Sequence, residues 1–520
     1  MLARFAACAL AFGLWGASDA YAFTRHQVAK VVVDCTQHCG GPHGTGEVKP
    51  SAFGAPVAVS ADGKTALIGA PQANVSDGAV WAFARHGAAW RQQGAQLRVD
   101  CKRHCAGPNG QGEDGNTFDF GQAIALSANG NTALIGAPGN GERGGAWIFI
   151  RSPGGWRQQG PRLIGFCHPQ RRRCTGPNGT GLGGFGFGEG VALSPDGNTA
   201  LIGAPGGAGG VWVFTRAGGR WSQQAKLVGN CRPAAVRVCT GPNGTGEISG
   251  GSNTGGFGSG VALSANGGTA LIGAFEDGSV SDSATTGAAW VFVRSGGLWS
   301  QQGTKLVANC TVSCSGPNGT GSSAGGELGE SVALSSDGST ALLGSPTDSN
   351  LAGAAWVFTR SSGAWSQQGT KLVANCTGSC GGPNGTGEVN GTDGGGQFAT
   401  SVALTGDGNT ALIGAPDDGA CQCGLAFGTG AVWLFTRSGG AWSQQGPKVV
   451  GDCTGACTST EGTGEVNGRL GGQFGAAVSL SRTGSTALIG GPNDNCHGHC
   501  DGSVDAPAEG AAWIFSLTGF

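Results

Sequence analysis

Cysteine is the residue type whose spacing most directly suggests chemistry in this chain. The sequence has 19 cysteines; Cys8 stands near the start, and most of the others form close pairs at repeated places. In an exported chain such pairs predict local disulfide bonds, each stabilising the fold by about 2 kcal/mol. The cysteines predicted to form disulfides are Cys35, Cys39, Cys101, Cys105, Cys167, Cys174, Cys231, Cys239, Cys310, Cys314, Cys376, Cys380, Cys453, Cys457, Cys496 and Cys500.

Two further cysteines, Cys421 and Cys423, are separated by a single residue. A disulfide between them would be strained, so a cross-link to Cys496 or Cys500 is the alternative. Their pairing stays open at this point.

Histidines beside some of the cysteines raise metal binding as a competing chemistry. The candidate ligands are Asp494, His497, His499 and Asp501, which lie in one segment around Cys-His-Gly-His-Cys. Histidine is missing from most of the other cysteine pairs, and thiols outside the cell are usually oxidised. The sequence therefore favours disulfides, and we expect neither a metal nor a cofactor.

A basic cluster suggests where a partner would dock. Three arginines follow one another in one cysteine-bearing segment, and two more lie in the next: Arg171, Arg172, Arg173, Arg232 and Arg237. Arginine makes two-pronged contacts with carboxylate or sulfate groups, so these residues are candidates for binding an anionic glycan or surface polymer. The alternative is that they only keep exposed loops soluble.

Acidic residues concentrate in other segments, so we expect a charge-divided binding face. They are Glu276, Asp277, Asp282, Asp417, Asp418, Asp494 and Asp501. Paired tryptophans such as Trp212 and Trp221 would suit stacking on sugars, but their recurrence favours packing within the repeats. No serine, histidine and aspartate outside the repeats form a catalytic set, and no catalytic residue is predicted.

The segments that position these residues are short and repeated. Runs of four to six residues rich in Val, Ile, Trp, Phe and Thr are bounded by Gly, Asp, Asn or Pro, which is typical of short strands and tight turns. Each repeat has room for four such strands. The threonine that opens the second strand recurs at Thr65, Thr132, Thr199, Thr269, Thr340, Thr410 and Thr486. Seven repeats predict an all-β fold, a seven-bladed propeller of four-stranded antiparallel blades.

One propeller is predicted over residues 23–520, following a signal peptide at 1–22 with Arg4, an apolar stretch and Ala20-Tyr21-Ala22. The last repeat lacks a fourth strand, whereas the N-terminal segment resembles one. We therefore expect the N-terminal strand to complete the last blade and close the ring. The repeats are predicted at about 53–99, 120–165, 187–229, 257–308, 328–374, 398–451, and 474–517 plus 26–33.

Two recurring motifs carry a family resemblance. Phe-Gly opens most repeats and Gly-Ala-Pro follows the second strand, as at Phe187-Gly188 and Gly203-Ala204-Pro205; two copies are degraded, at Leu328-Gly329 and Phe398-Ala399. The chain thus resembles the FG-GAP repeat family, which is similar to the propeller of integrin α subunits. The resemblance implies extracellular recognition. The family's D-x-D-x-D-G calcium loop is absent from the corresponding turns, so no calcium site is carried over.

These features together predict a secreted or cell-surface binding or adhesion module. Short turns fall on one face of the propeller and long connections on the other, and loops on a rigid scaffold commonly bind. The partner would be an extracellular protein or a glycan. A formal net charge of −2 gives no general attraction to nucleic acid. We expect a monomer without a transmembrane segment, exported to the periplasm, the cell surface or the medium. The alternatives are an extracytoplasmic hydrolase or lyase with its site at the channel mouth of that face, and a structural envelope protein.

Overall fold

The structure is a computed structural model of the 520-residue chain. It describes residues 24–32, 52–74, 77–99, 119–139, 144–165, 185–206, 209–229, 255–278, 286–308, 326–374, 395–418, 429–451, 472–494 and 510–518. The predicted signal peptide, all the cysteines and the five candidate arginines lie outside these ranges.

Short strands account for nearly all the regular structure in these ranges. The first blade and the N-terminal strand comprise β1 Thr24–Val31, β2 Val57–Val59, β3 Thr65–Ala70, β4 Ala79–His86 and β5 Ala89–Gln92. The second to fourth blades comprise β6 Ala123–Leu126, β7 Thr132–Ala137, β8 Gly145–Ser152, β9 Gly155–Gln158, β10 Val191–Leu193, β11 Thr199–Gly203, β12 Val211–Ala217, β13 Arg220–Leu227, β14 Val261–Leu263, β15 Thr269–Ala274, β16 Ala288–Ser295 and β17 Leu298–Gln301.

The remaining blades follow the same plan. They comprise β18 Val332–Leu334, β19 Thr340–Ser345, β20 Ala354–Ser361, β21 Ala364–Gln367, β22 Ser401–Leu404, β23 Thr410–Ala415, β24 Ala431–Ser438, β25 Ala441–Gln444, β26 Ala477–Leu480, β27 Thr486–Gly491 and β28 Ala511–Thr518. One short helix, α1 Asp348–Leu351, lies between β19 and β20.

The strands form seven four-stranded sheets, and each of the first six takes its strands in chain order. The last sheet has the order β1-β28-β27-β26, so the N-terminal strand lies beside the C-terminal one. This pairing confirms the predicted closure. β1 begins earlier than predicted, at Thr24, because the chain continues to pair with β28 across a bulge between Gln27 and Ala29.

The first strands of the sheets form the innermost ring. Each contacts the first strands of both neighbouring sheets, and β2 contacts β26, which joins the first blade to the last. The predicted all-β seven-bladed propeller is therefore confirmed.

The two repeated motifs touch each other across blade boundaries. A Cβ atom on Gly203 would lie 1.9 Å from the carbonyl oxygen of Gly258, in the Phe-Gly pair of the next blade, and one on Gly490 would lie 1.9 Å from that of Gly54. Such distances exclude any side chain, so glycine is required where neighbouring backbones approach. The Gly490 contact is the same junction made between the seventh blade and the first.

Aromatic residues fill the blades. The rings of Phe187 and Trp212 meet edge to face at 5.5 Å between centroids, Phe214 also packs on Phe187, and Trp212 is fully buried. The outer tryptophan, Trp221, donates from Nε1 to Oε1 of Gln159 in the preceding blade at 3.3 Å. The tryptophan pair thus packs within and between blades, as the sequence favoured, and Trp212 is not available to stack on a sugar.

Candidate functional site

The face with the short turns is built alike in every blade. In blade three the amide of Thr199 donates to Ser194 Oγ at 2.9 Å, and Ser194 Oγ donates to Asp196 Oδ1. Burial alone would raise the Asp196 pKa, but hydrogen bonds from Ser194 and Asn198 outweigh it and lower that pKa. The equivalent hydroxyl acceptors are Ser60, Ser127, Ser194, Ser264, Ser335, Thr405 and Ser481. These side chains stabilise the turns between the first and second strands.

The blades differ at the opposite face, where each first strand begins. The residue after the Phe-Gly position changes from blade to blade in size and charge. In chain order it is Ala55, Gln122, Glu189, Ser259, Glu330, Thr400 and Ala476. Because the first strands form the innermost ring, these residues surround the mouth of the propeller axis on the face that carries the long connections.

Four glutamates of blades three to five form a glutamate cluster at this mouth: Glu189, Glu276, Glu327 and Glu330. Neighbouring groups exclude part of the water around Glu189, which raises its pKa, and the charge of Glu276 raises it further. Burial raises the pKa of Glu330 to about 7, with a contribution from Glu327. Burial and Glu276 also raise the Glu327 pKa, against a hydrogen bond with Thr347. The four carboxyl groups are therefore electrostatically linked.

The glutamate cluster lacks a cationic partner in the structure as far as it is described. None of its four carboxylates forms a salt bridge among the described residues. Within the same ranges, no three His, Cys, Asp or Glu side chains are placed to hold a metal ion. The cluster offers a negative surface that attracts cationic groups, and the raised pKa values of Glu189, Glu327 and Glu330 let these three hold a proton more readily than an isolated glutamate does.

Blades six and seven carry a hydrogen-bonded amide network at this rim instead. Gln473 Nε2 donates to Asp417 Oδ1 at 3.3 Å, and Asn493 Nδ2 donates to Gln473 Oε1 at 2.7 Å. This amide-rich network joins the two blades. Among the described residues, the glutamate cluster is confined to blades three to five.

Three of the aspartates interpreted above as surface acids are buried in ion pairs, so that part of the charge interpretation was wrong. A lysine in the fourth strand, or a few residues after it, reaches each of them in its own blade, which cancels the charge. A fourth pair has the same arrangement. The pairs join Lys30 to Asp494 at 2.8 Å, Lys305 to Asp277 at 2.5 Å, Lys371 to Asp348 at 2.5 Å and Lys448 to Asp418 at 2.6 Å.

The structure brings together only part of what the sequence proposed as sites. Asp494, a candidate metal ligand, is in the ion pair with Lys30, while His497, His499 and Asp501 lie outside the described residues, as do the candidate arginines and the disulfide cysteines. Sequence reasoning named Glu276 but missed the other three glutamates. A comparison of the seven equivalent positions after Phe-Gly would have revealed two of them.

Comparisons with known proteins give only distant structural likeness. No known family profile matches the chain, and no curated protein sequence matches it. A 6-phosphogluconolactonase-like protein from Bacteroides uniformis is 14% identical, with 76% of this chain and 85% of that chain covered and a TM-score of 0.39. The Kuenenia stuttgartiensis hydrazine synthase is 13% identical, with 86% and 94% covered and a TM-score of 0.42. The β-propeller domain of Cps50 (Swd1) from Myceliophteria thermophila is 10% identical, with 94% and 100% covered and a TM-score of 0.44.

Helices contribute almost nothing to the described part of the chain. None of them has the length and apolar character needed to cross a lipid bilayer.

Proposed function

We propose that this chain is a secreted or cell-surface binding module of the FG-GAP type, which recognises an extracellular partner through the face that bears the long connections. One observation carries the proposal. The blades are nearly interchangeable on the short-turn face, where polar side chains hold the turns. They diverge at the opposite mouth, where four glutamates gather without cationic partners among the described residues. This contrast between the two faces supports binding at the variable one.

The charge of the glutamate cluster favours a protein partner with lysine or arginine side chains. An anionic glycan would be repelled by Glu189 and Glu276, which are exposed to solvent. The candidate arginines would attract such a glycan instead, so the two partner classes make opposite predictions for the same variants.

A charge-neutralising double variant tests this proposal. Replacing Glu189→Gln and Glu330→Gln should weaken binding of a fluorescent hexalysine peptide by about tenfold. At about pH 8.5, where Glu330 with its pKa of about 7 is ionised, two charge pairs of up to about 1 kcal/mol each are lost, and 1.4 kcal/mol corresponds to tenfold. Fluorescence anisotropy at low and moderate salt measures the affinity, and the difference should shrink as salt screens the charges.

A matched control removes two charges from the same blades on the other face. Asp196→Asn and Asp337→Asn should leave peptide binding unchanged, and the turns should survive because Asn129 and Asn266 fill the equivalent positions in blades two and four. Equal losses in both double variants would mean that only net charge matters, which would contradict the proposal. So would a sulfated oligosaccharide that binds through Arg171, Arg172 and Arg173 while the peptide does not.

The raised pKa of Glu330 favours one second candidate, an extracytoplasmic hydrolase or lyase with its site at the channel mouth. A carboxyl group with a pKa of about 7 is protonated below neutrality and suits general acid catalysis. On this alternative, turnover of chromogenic glycosides or esters would decline above about pH 7 and fall about 100-fold in Glu330→Gln. No turnover across such a panel, or equal turnover in the variant, would dismiss the enzyme.

A further inference from the structure

The buried lysine–aspartate pairs follow a rule that links two positions of the repeat. The aspartate is the third residue after the glycine, alanine or serine that follows Leu-Ile-Gly or Leu-Leu-Gly, and the lysine lies in the fourth strand or a few residues after it. Blade one lacks the aspartate, with Ala73 in its place, and it also lacks the lysine, with Gln96 instead. Neither charge is present, so no charge is buried alone. The two positions match in blades one, four, five, six and seven, as expected when each charge needs the other in a place with little water. Blade two instead has Arg162, which is half-buried, at the lysine position and Asn140 at the aspartate position.

Blade three keeps the lysine without the aspartate. Its connection between β11 and β12 reads Pro205-Gly206-Gly207-Ala208-Gly209-Gly210, and Gly207 stands where Asp277 and Asp418 stand in their blades. The connection contains no acidic residue. Lys226 nevertheless lies in the fourth strand, paired in register with Trp212.

Lys226 occupies the same kind of place as its paired counterparts. Its side chain is 5% exposed, and its Nζ lies 4.5 Å from the ring centroid of Trp212. Lys305 and Lys371 lie over the corresponding tryptophans, Trp290 and Trp356, in the same way at 5.6 Å.

What differs is the counter-ion. No salt bridge or hydrogen bond to Lys226 Nζ is found among the described residues, and burial lowers the Lys226 pKa to about 8. The indole Nε1 of Trp212 is buried and also lacks an acceptor in the described part of the chain. Among the described residues, the Lys226 ammonium therefore has no acceptor.

We propose that blade three binds the carboxylate group of a small ligand at Lys226, in the position that an aspartate side chain fills in the sister blades. The ligand class is a compact carboxylate, because the sites in the sister blades hold one carboxylate per lysine against a tryptophan face. At neutral pH the Lys226 ammonium is mostly charged and attracts such an anion. The cation–π contact with Trp212 orients the ammonium but supplies no negative charge of its own.

Acetate and formate are the probes. The unfolding temperature of residues 23–520 is followed at pH 7 with increasing sodium acetate or formate, and with sodium chloride at the same ionic strength. The wild type should show a saturable rise with either carboxylate that chloride does not reproduce, because a ligand that binds only the folded state stabilises it. Gly207→Asp supplies the carboxylate within the chain, and should weaken the apparent acetate affinity at least about tenfold.

Two more variants separate this site from a general salt effect. Lys226→Met removes the cation and should abolish the acetate response. Asp277→Gly copies the blade-three arrangement into blade four, freeing Lys305, and should add a second acetate-responsive site. The proposal is overturned if wild type and Gly207→Asp respond alike to acetate, or if the wild type responds alike to acetate and chloride. The latter would result if a carboxylate of the chain itself, such as Glu247, already occupied Lys226.

Discussion

Asp348→Ala is expected to lower the free energy of unfolding by about 3–5 kcal/mol, the range for removing one partner of a buried ion pair. Asp348 and Lys371 have side chains with 0% exposure, and Lys371 Nζ lies 2.5 Å from Asp348 Oδ2. The variant leaves an ammonium enclosed by protein, with Trp356 and Ser349 as its remaining neighbours. Neither carries a negative charge, so the desolvation of the ammonium is no longer offset. The shift of the urea unfolding midpoint, with its slope, measures the loss.

The first blade provides the control for this change. Adding Lys371→Gln to Asp348→Ala reproduces the Ala73 and Gln96 combination of blade one, and should recover most of the lost stability because no charge is buried. Additive losses in the double variant would contradict the explanation, since they would mean that the two residues act through packing alone. A single-variant loss below about 1 kcal/mol would show that the pair is no better than a surface salt bridge.

The seven-bladed propeller was the most predictable feature of this molecule, because a four-strand repeat that recurs seven times is compatible with few other folds. Strand-sized runs between glycine-rich turns, repeated seven times with a spare strand at the N-terminus, allow a closed ring and little else. The structural role of the Phe-Gly and Gly-Ala-Pro motifs was harder to predict from the sequence. The contact between Gly203 and Gly258 joins consecutive repeats, and a pattern read within one repeat does not reveal a contact between two.

Charge was less predictable than fold for a related reason. Asp277 and Asp418 looked like surface acids because the sequence shows them in polar connections, far from their lysines along the chain. Asp494 is paired with Lys30 from the other end of the chain. The folding of each blade brings Asp277 and Asp418 to their lysines, and the closure of the ring brings Asp494 to Lys30; both bury these groups. Among the described residues, the acids of this face without a cationic partner include the glutamates at the starts of the inner strands, Glu189 and Glu330.

Glu189 and Glu330 were missed because they stand inside the repeat, at a place where the motif itself attracts attention. Their pKa values depend on neighbours in other blades, since Glu276 acts on Glu189 and Glu327 acts on Glu330. Spacing along the chain does not encode these interactions. The closed ring of blades creates them, because it places glutamates of three blades around one mouth.

The second large effect is expected when the N-terminal strand is removed. A chain lacking residues 23–33 should lose its cooperative unfolding transition and aggregate. β28 would lose its partner along Ala511–Thr518 and expose an unpaired strand edge. Val31 would leave the core that joins the first and last blades, and Lys30 would no longer neutralise the buried Asp494. Size-exclusion chromatography and thermal unfolding measure the outcome, and a monodisperse chain with an unchanged melting temperature would contradict closure by this strand.

Adding the missing strand back separates closure from nonspecific damage. A synthetic peptide of residues 23–33 should restore a monomeric, cooperatively unfolding protein, because it supplies the strand that pairs with β28 and the lysine that neutralises Asp494. The same peptide with Lys30→Met keeps the backbone pairing and the Val31 contact but cannot neutralise Asp494, so it should restore the fold less completely. If both peptides rescue equally, hydrogen bonding and packing alone close the ring. If neither does, β1 must be joined to the chain before the last blade can form.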